Sequence, residues 1–276
     1  RDLVLYSMKE NGKISKEQYD QAVATPVTDG LIAHNNNVDS NDKALVYDSF
    51  VTMVLKEVQE KTGLDPYNDG LTIETTIDSK AQQRLYDIVN TNDYIQYVND
   101  KIQNAVVMLD TKTGAVRAVN GGRKQTTLLG YNRATDNSRS TGSTIKPVID
   151  YGPAIEYLNY STGQTIIDQR TTYSNGVELN NWDFSHKGAM TLRTALVYSR
   201  NTTALQTFKA VGETNIKSFL DNLDIQIKND GQDYLVESNS IGADISPIKM
   251  AAAYATFGNY GNYSKPYTVT KVTTRD

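Results

Sequence analysis

Gly142-Ser143-Thr144-Ile145-Lys146-Pro147 is the stretch on which the reading of this sequence turns. A glycine precedes a serine, a lysine stands three positions on, and a proline falls where a first helical turn tolerates it. Positions i and i+3 of a helix share a face, so the spacing brings the Ser143 hydroxyl and the Lys146 amine together. A serine at a helix start lies beside free backbone N–H groups and the positive end of the helix dipole. Those N–H groups suit the oxyanion of a tetrahedral intermediate. The same field, with burial, lowers the pKa of Lys146 toward that of a working base. The competing reading is that Ser143 only caps the helix, and the local sequence leaves the two level.

The rest of the composition narrows the chemistry. Among 276 residues, 28 Lys+Arg stand against 32 Asp+Glu, a formal charge of −4, which argues against a basic nucleic-acid platform. At 38% hydrophobic there is enough apolar material for one large domain or two small ones. Cysteine is absent, which removes disulfides, Cys-ligated zinc, iron–sulfur clusters and a cysteine nucleophile. His34 and His186 are the only histidines, too few for a histidine-rich metal cage. A serine activated by lysine is therefore the most economical nucleophile. No apolar run is long enough to span a bilayer. The chain begins at Arg1 rather than Met and is read as a piece of something longer.

Ser-x-x-Lys occurs three times, so the spacing alone does not choose. Ser40–Lys43 falls in a polar loop expected over residues 34–42, where nothing would desolvate the lysine. Ser246 precedes Pro247 and reads as a helix N-cap whose side chain bonds backbone N–H groups. Ser143–Lys146 gains from a second element, Ser199-Arg200-Asn201, the single S-x-N of the chain. It lies between two apolar helical stretches, where a connecting loop projects into a cleft. There Ser199 is placed to relay a proton between Lys146 and a leaving group, and the Asn201 amide to bond substrate and lysine. Its ordinary reading is a polar helix junction.

Around these motifs the pattern predicts a short helical region over residues 1–30 and a helix over 43–61 stopped by Gly63. A strand is expected over 71–77, then a helix with Ser79 and Gln82 in capping-box spacing. A β-hairpin is expected over 105–120 with its turn at 111–114. Helices follow over 192–211, ended by Gly212, and around residues 216–223. A helix from Pro247 to Gly258 presents Ala251, Ala252 and Ala255 as a small-residue face, and residues 265–272 return to strand. The sum is an α/β (α+β) chain. Trp182 is the lone tryptophan and reads equally as a substrate-groove aromatic or as core packing. His186 reads as a surface loop residue.

The order S-x-x-K then S-x-N resembles the penicillin-binding proteins and serine β-lactamases. Within that group the chain resembles the transpeptidase half of a class A penicillin-binding protein of a Gram-positive bacterium. The likeness runs through Ala105-Val106-Val107-Met108-Leu109-Asp110 into Thr113-Gly114-Ala115-Val116 and Gly121-Gly122-Arg123. It continues through the Ser143 stretch, Asn181-Trp182-Asp183, Ser199-Arg200-Asn201 and Ile248-Lys249-Met250-Ala251-Ala252-Ala253-Tyr254. The resemblance implies a tail of a glycosyltransferase domain over residues 1–30, a linker region over 31–70 and a transpeptidase domain over 71–276. The expected fold is the transpeptidase fold of that group, incomplete at its C-terminus and preceded by a small helical linker region.

What the resemblance implies for function is a D,D-transpeptidase with Ser143, Lys146, Ser199 and Asn201 as catalytic residues and Trp182 as a substrate-binding residue. No metal and no organic cofactor are implied. The implied partners are peptidoglycan stem peptides and glycan strands, β-lactam antibiotics, and cell-wall synthesis and division proteins, with no nucleic acid. The implied location is the outer face of the cytoplasmic membrane, through an anchor upstream of Arg1. The family's third motif, K-[ST]-G, is expected on a strand after Ser199. Here Lys61-Thr62-Gly63 and Lys112-Thr113-Gly114 both precede Ser143 and read as a helix stop and a hairpin turn. Two other readings stand beside the leading one: a β-lactam hydrolase or sensor, and a non-catalytic scaffold in which Ser143 is an N-cap.

Overall fold

The computed structural model describes residues 1–26, 38–136 and 138–275, the side chains of 38–42 excepted. His34 and the loop expected over 34–37 lie outside the described residues, as does the side chain of Ser40. The chain forms two compact units, Arg1–Asn41 and Asp42–Asp276. In the first, helices Asp2–Glu10 and Lys16–Ala24 pack on each other without a buried residue. Ser15 and Gln18 form a reciprocal capping box that starts the second helix.

Helix Val38–Thr62, most of which belongs to the larger unit, begins earlier than the sequence suggested, so residues 38–42 are helix rather than loop. Gly63, at φ +72°, ends it in a conformation that glycine adopts without strain. Phe50, Val54 and Val58 of this helix bury against Val116 and Val119 of the hairpin. The hairpin pairs Val106–Leu109 with Val116–Asn120 as expected. Strand Thr72–Thr75 pairs with the late strand Val269–Thr273, which joins two ends of the unit far apart in sequence. The intervening helix, Ser79–Asn90, is capped by Asp78, whose carboxylate accepts from the N–H groups of Lys80 and Ala81. Ser79 is thus not the cap. Gln82 is buried instead, donating to the carbonyls of Val46 and Val119 and accepting from the Val119 N–H.

A second core surrounds the Ser143 stretch. Ile145, Val148, Ile149 and Ala154 of that helical segment pack against Phe208, Val211, Ile216 and Leu220 of helices Asn201–Val211 and Glu213–Asp221. Helix Pro247–Gly258 adds Ala253 to this core, and its buried residues Ala252, Ala253 and Thr256 lie one position round from the small-residue face read off the sequence. Ser246 holds the N-cap position of this helix, but its side chain makes no capping bond. The apolar stretch over 192–211 forms two helices, Leu192–Val197 and Asn201–Val211, and the S-x-N stretch is the bend between them.

Candidate active site

The segment carrying Ser143 is wound unevenly. Gly142, at φ +52°, opens a 3₁₀ turn over Gly142–Ile145, in which the Lys146 N–H bonds the Ser143 carbonyl. With three residues per turn, side chains at i and i+3 eclipse, which sets Ser143 and Lys146 on one face more directly than an α-helix does. Thr141, not Ser143, occupies the cap position, and no side chain caps this turn. The capping reading of Ser143 is thereby corrected: its hydroxyl is exposed and bonds to nothing among the described residues. The turn is pinned by the short pairing of Arg139–Ser140 with Asp244–Ile245 and by Thr141, whose N–H and hydroxyl both reach the Ala243 carbonyl.

After the 3₁₀ turn the helix loosens into a π turn over Pro147–Tyr151, and Gly152 begins an α-helix that ends at Leu158. Pro147 has no N–H to give, and its carbonyl accepts from Gly152 five residues on. A Cβ at Gly152 would meet that carbonyl oxygen at 2.6 Å, so glycine is the residue the junction admits.

Lys146 is fully buried, and its ammonium nitrogen is held by three acceptors. Nζ donates to Asn201 Oδ1 at 2.7 Å, to the Ser199 carbonyl at 2.8 Å and to Ser199 Oγ at 3.2 Å. The structure therefore brings Lys146, Ser199 and Asn201 together from two separate elements and places Ser143 one turn ahead of Lys146. Burial pulls the Lys146 pKa down to about 8, with the Arg200 charge acting in the same direction and Asp150 opposing. Ser199 sits at φ +49°, a left-handed conformation that costs a non-glycine residue about 1–2 kcal/mol. That bend turns both its carbonyl and its hydroxyl toward Lys146.

Asn201 is fixed in its flip. Its Nδ2 donates to the Asn180 carbonyl at 2.9 Å, which leaves Oδ1 to face Lys146. Its backbone N–H, with that of Thr202, is taken by Asn181 Oδ1 at 2.7 and 3.3 Å, so Asn181 caps the Asn201–Val211 helix from a distant loop. Behind this lies a buried cluster. Asp168 accepts from Thr202 Oγ1, Asn181 Nδ2, the Lys187 N–H and Arg200 Nε, all within 2.6–2.9 Å. Arg200 also donates to both oxygens of Asp183 at 3.0 Å and to the Ser185 carbonyl. Burial alone would raise the pKa of Asp168, but these bonds and the Arg200 charge hold it below the ordinary range. The Asp183 carboxyl is likewise held low, chiefly by its bonds from Arg200 and Ser185.

Trp182 lies on this buttressed loop, 67% exposed, with its indole N–H bonded to the Tyr198 carbonyl. It is not core packing. With Tyr198, Met190 and Arg200 it lines a cavity of about 560 Å³ next to the S-x-N bend. Of the other S-x-x-K lysines, Lys43 is exposed and Lys249 Nζ bonds the Asp224 carbonyl. Burial, which spacing does not report, singles out Lys146. The sequence reading missed Asp168 and Arg200. Arg200 stood in view as the centre of Ser-Arg-Asn, whereas nothing in the local pattern of Thr165–Asp168 marks its last residue.

A lysine buried against a serine and an asparagine, with a serine one 3₁₀ turn before it, is the arrangement that the S-x-x-K and S-x-N motifs lead one to expect. The penicillin-binding protein transpeptidase domain matches residues 104–276, and the chain belongs to that family. The chain is 39% identical over 282 residues to penicillin-binding protein 1A/1B of Bacillus subtilis (strain 168), covering all of this chain and 30% of that protein. It is 39% identical over 284 residues to penicillin-binding protein 1A of Streptococcus pneumoniae, covering all of this chain and 39% of that protein. The chain thus spans about a third of the length of these relatives. Among solved structures, the penicillin-binding protein PonA1 from Mycobacterium tuberculosis superposes with a TM-score of 0.71 at 25% identity, over 84% of this chain and 61% of that one. The α/β penicillin-binding fold expected from the motifs is the fold observed.

Proposed function

We propose that this chain is the acylating part of a peptidoglycan D,D-transpeptidase. The observation that carries the reading is the buried Lys146 amine, held between Ser199 and Asn201 with its pKa lowered to about 8. As a free amine, Lys146 has two N–H groups and one lone pair. The Ser199 carbonyl and Asn201 Oδ1 accept only, and they take both N–H groups. The lone pair is then left for a proton from a serine hydroxyl.

In the reaction, Lys146 takes the proton of Ser143 as Oγ bonds the carbonyl carbon of the penultimate D-alanine of a stem peptide. Backbone N–H groups at the start of the turn stabilise the oxyanion. The C–N bond to the terminal D-alanine breaks, and its amine leaves with the proton passed from Lys146 through the Ser199 hydroxyl. An amine of a neighbouring stem attacks the acyl-enzyme, forms the cross-link and returns Ser143 to its resting state. β-Lactams acylate the same oxygen as substrate mimics. Trp182 lines the groove that receives the substrate.

The remaining assignments follow from the motif resemblance. In this reading residues 1–30 are the tail of a glycosyltransferase domain and 31–70 lead into the transpeptidase domain of 71–276, with most of helix Val38–Thr62 packed in the same compact unit as that domain rather than standing apart as a linker. The whole protein also polymerises glycan strands, is anchored at the outer face of the cytoplasmic membrane and works with cell-wall synthesis and division proteins. No helix among the described residues is itself long and apolar enough to cross a membrane. Intact-mass spectrometry of the full-length protein after incubation with a fluorescent penicillin tests the reading. One adduct on Ser143, lost in Ser143→Ala and in Lys146→Ala, is expected. No adduct on the wild-type protein overturns it.

A further inference from the structure

A buried titratable group beside Lys146 takes no part in these steps. Asp150 lies four residues after Lys146, one turn further along the same helical segment, and is completely buried. Neither of its carboxylate oxygens has a hydrogen-bond partner among the described residues. Lys146 gives it nothing, because all its Nζ contacts go to Ser199 and Asn201.

The charged groups around Asp150 are few. Helix Asn201–Val211 packs against its turn, and there the neighbouring Tyr151 hydroxyl meets the uncharged Thr203. Arg200, just before that helix, is committed to Asp168 and Asp183. In helix Glu213–Asp221, Glu213 and Lys217 pair with each other and Asp221 is exposed. In the 3₁₀ turn Glu237–Ile241, Glu237 pairs with Lys209. Glu156, on the α-helix that follows, is exposed. Lys146 is the charge that acts on Asp150, and the Tyr151 phenol feels Asp150 in turn.

We infer that Asp150 is a second proton-holding residue of the Ser143–Lys146 centre, carried as a neutral carboxylic acid at neutral pH so that Lys146 remains available as the free amine. An isolated carboxylate without a hydrogen bond is among the costliest groups to bury, and the acid form avoids that cost. Burial accordingly pushes its pKa well above the ordinary range, with Lys146 opposing. An ionised Asp150 would hold Lys146 as an ammonium ion, whose lone pair is occupied and which accepts nothing from Ser143. As a neutral acid it leaves burial and Arg200 to set the amine. Asp150 is a positioning residue in this sense: it acts on the reaction through Lys146. The inference rests on Lys146 being the base.

The test uses the full-length protein and its Asp150→Asn variant, which keeps the shape and removes the titratable proton. Infrared difference spectroscopy of wild type against variant at neutral pH is expected to show a carboxylic-acid carbonyl band present in the wild type alone. The pH profile of Ser143 acylation by a fluorescent penicillin is expected to keep its acidic limb within about half a pH unit in the variant, since a neutral neighbour is exchanged for a neutral one. Absence of the acid band overturns the inference, and so does a limb moved about one unit or more to lower pH. If the variant fails to fold, the acid band is read instead as the difference between folded and heat-unfolded wild-type protein at neutral pH, where an exposed Asp150 ionises. A wild-type protein that shows the band but takes no penicillin keeps Asp150 neutral while sinking the reading of Lys146 as base.

Discussion

Two buried carboxylates flank the same lysine-and-serine cluster and are treated in opposite ways. Asp168 has both oxygens filled, by Thr202, Asn181, Lys187 and Arg200, while Asp150 has neither oxygen filled. The saturated one anchors the loop 181–185 and the start of helix Asn201–Val211, and through them the amide that faces Lys146. The unsaturated one stands on the helical segment that carries the nucleophile. A buried polar group with all its bonds made fixes geometry. One with none made is free to hold a proton.

Breaking the saturated side is expected to have the largest effect. Arg200→Ala leaves Asp168 buried with its charge uncompensated, and urea unfolding is expected to show a loss of about 3–5 kcal/mol. Asn181→Ala removes the acceptor for the Asn201 and Thr202 N–H groups without leaving a charge behind. It is expected to cost about 1–3 kcal/mol in the same assay and to slow penicillin acylation about tenfold as the Asn201 amide loosens. The lysine side is sharpened by pH rather than mutation. The free amine is the active form, and burial favours it, so the acylation rate is expected to rise about tenfold per unit from acid and level off no higher than about 8 in stopped-flow measurements. Trp182→Ala is the mildest. An exposed side chain gives a stability change within about 0.5 kcal/mol, with the effect instead in a raised KM for stem peptide.

The parts that sequence alone made legible are those whose pattern is local. The hairpin turn at Thr111–Gly114 and the bend at Ser199 declared themselves through glycine, polar residues and interrupted periodicity. Spacing did not separate three Ser-x-x-Lys matches, because what distinguishes Lys146 is burial supplied by helices far along the chain. The Asp168 cluster was hidden for the same reason: its partners Asn181, Arg200 and Thr202 lie 13 to 34 residues away. Asp150 sits within Val148-Ile149-Asp150-Tyr151, where an apolar run disguises it as an ordinary interruption. Caps are a finer case. Ser79 with Gln82 has capping-box spacing, yet Asp78 does the capping because Gln82 is drawn inward to bridge Val46 and Val119.

The tight turn over Gly142–Ile145 and the loose one over Pro147–Tyr151 also differ in the chain length they can spare. A π turn is one residue more than an α-helix needs over the same turn, so the extra residue is absorbed locally and Ser143 and Ile145 keep their faces relative to Gly152 and beyond. A deletion between Pro147 and Tyr151 that restores regular winding is therefore expected to leave Ile145 in the core. The 3₁₀ turn has no residue to spare, and a deletion there rotates Ser143 away from the S-x-N bend by about a third of a turn. Length variation among relatives is expected over Pro147–Tyr151 and not over Gly142–Ile145.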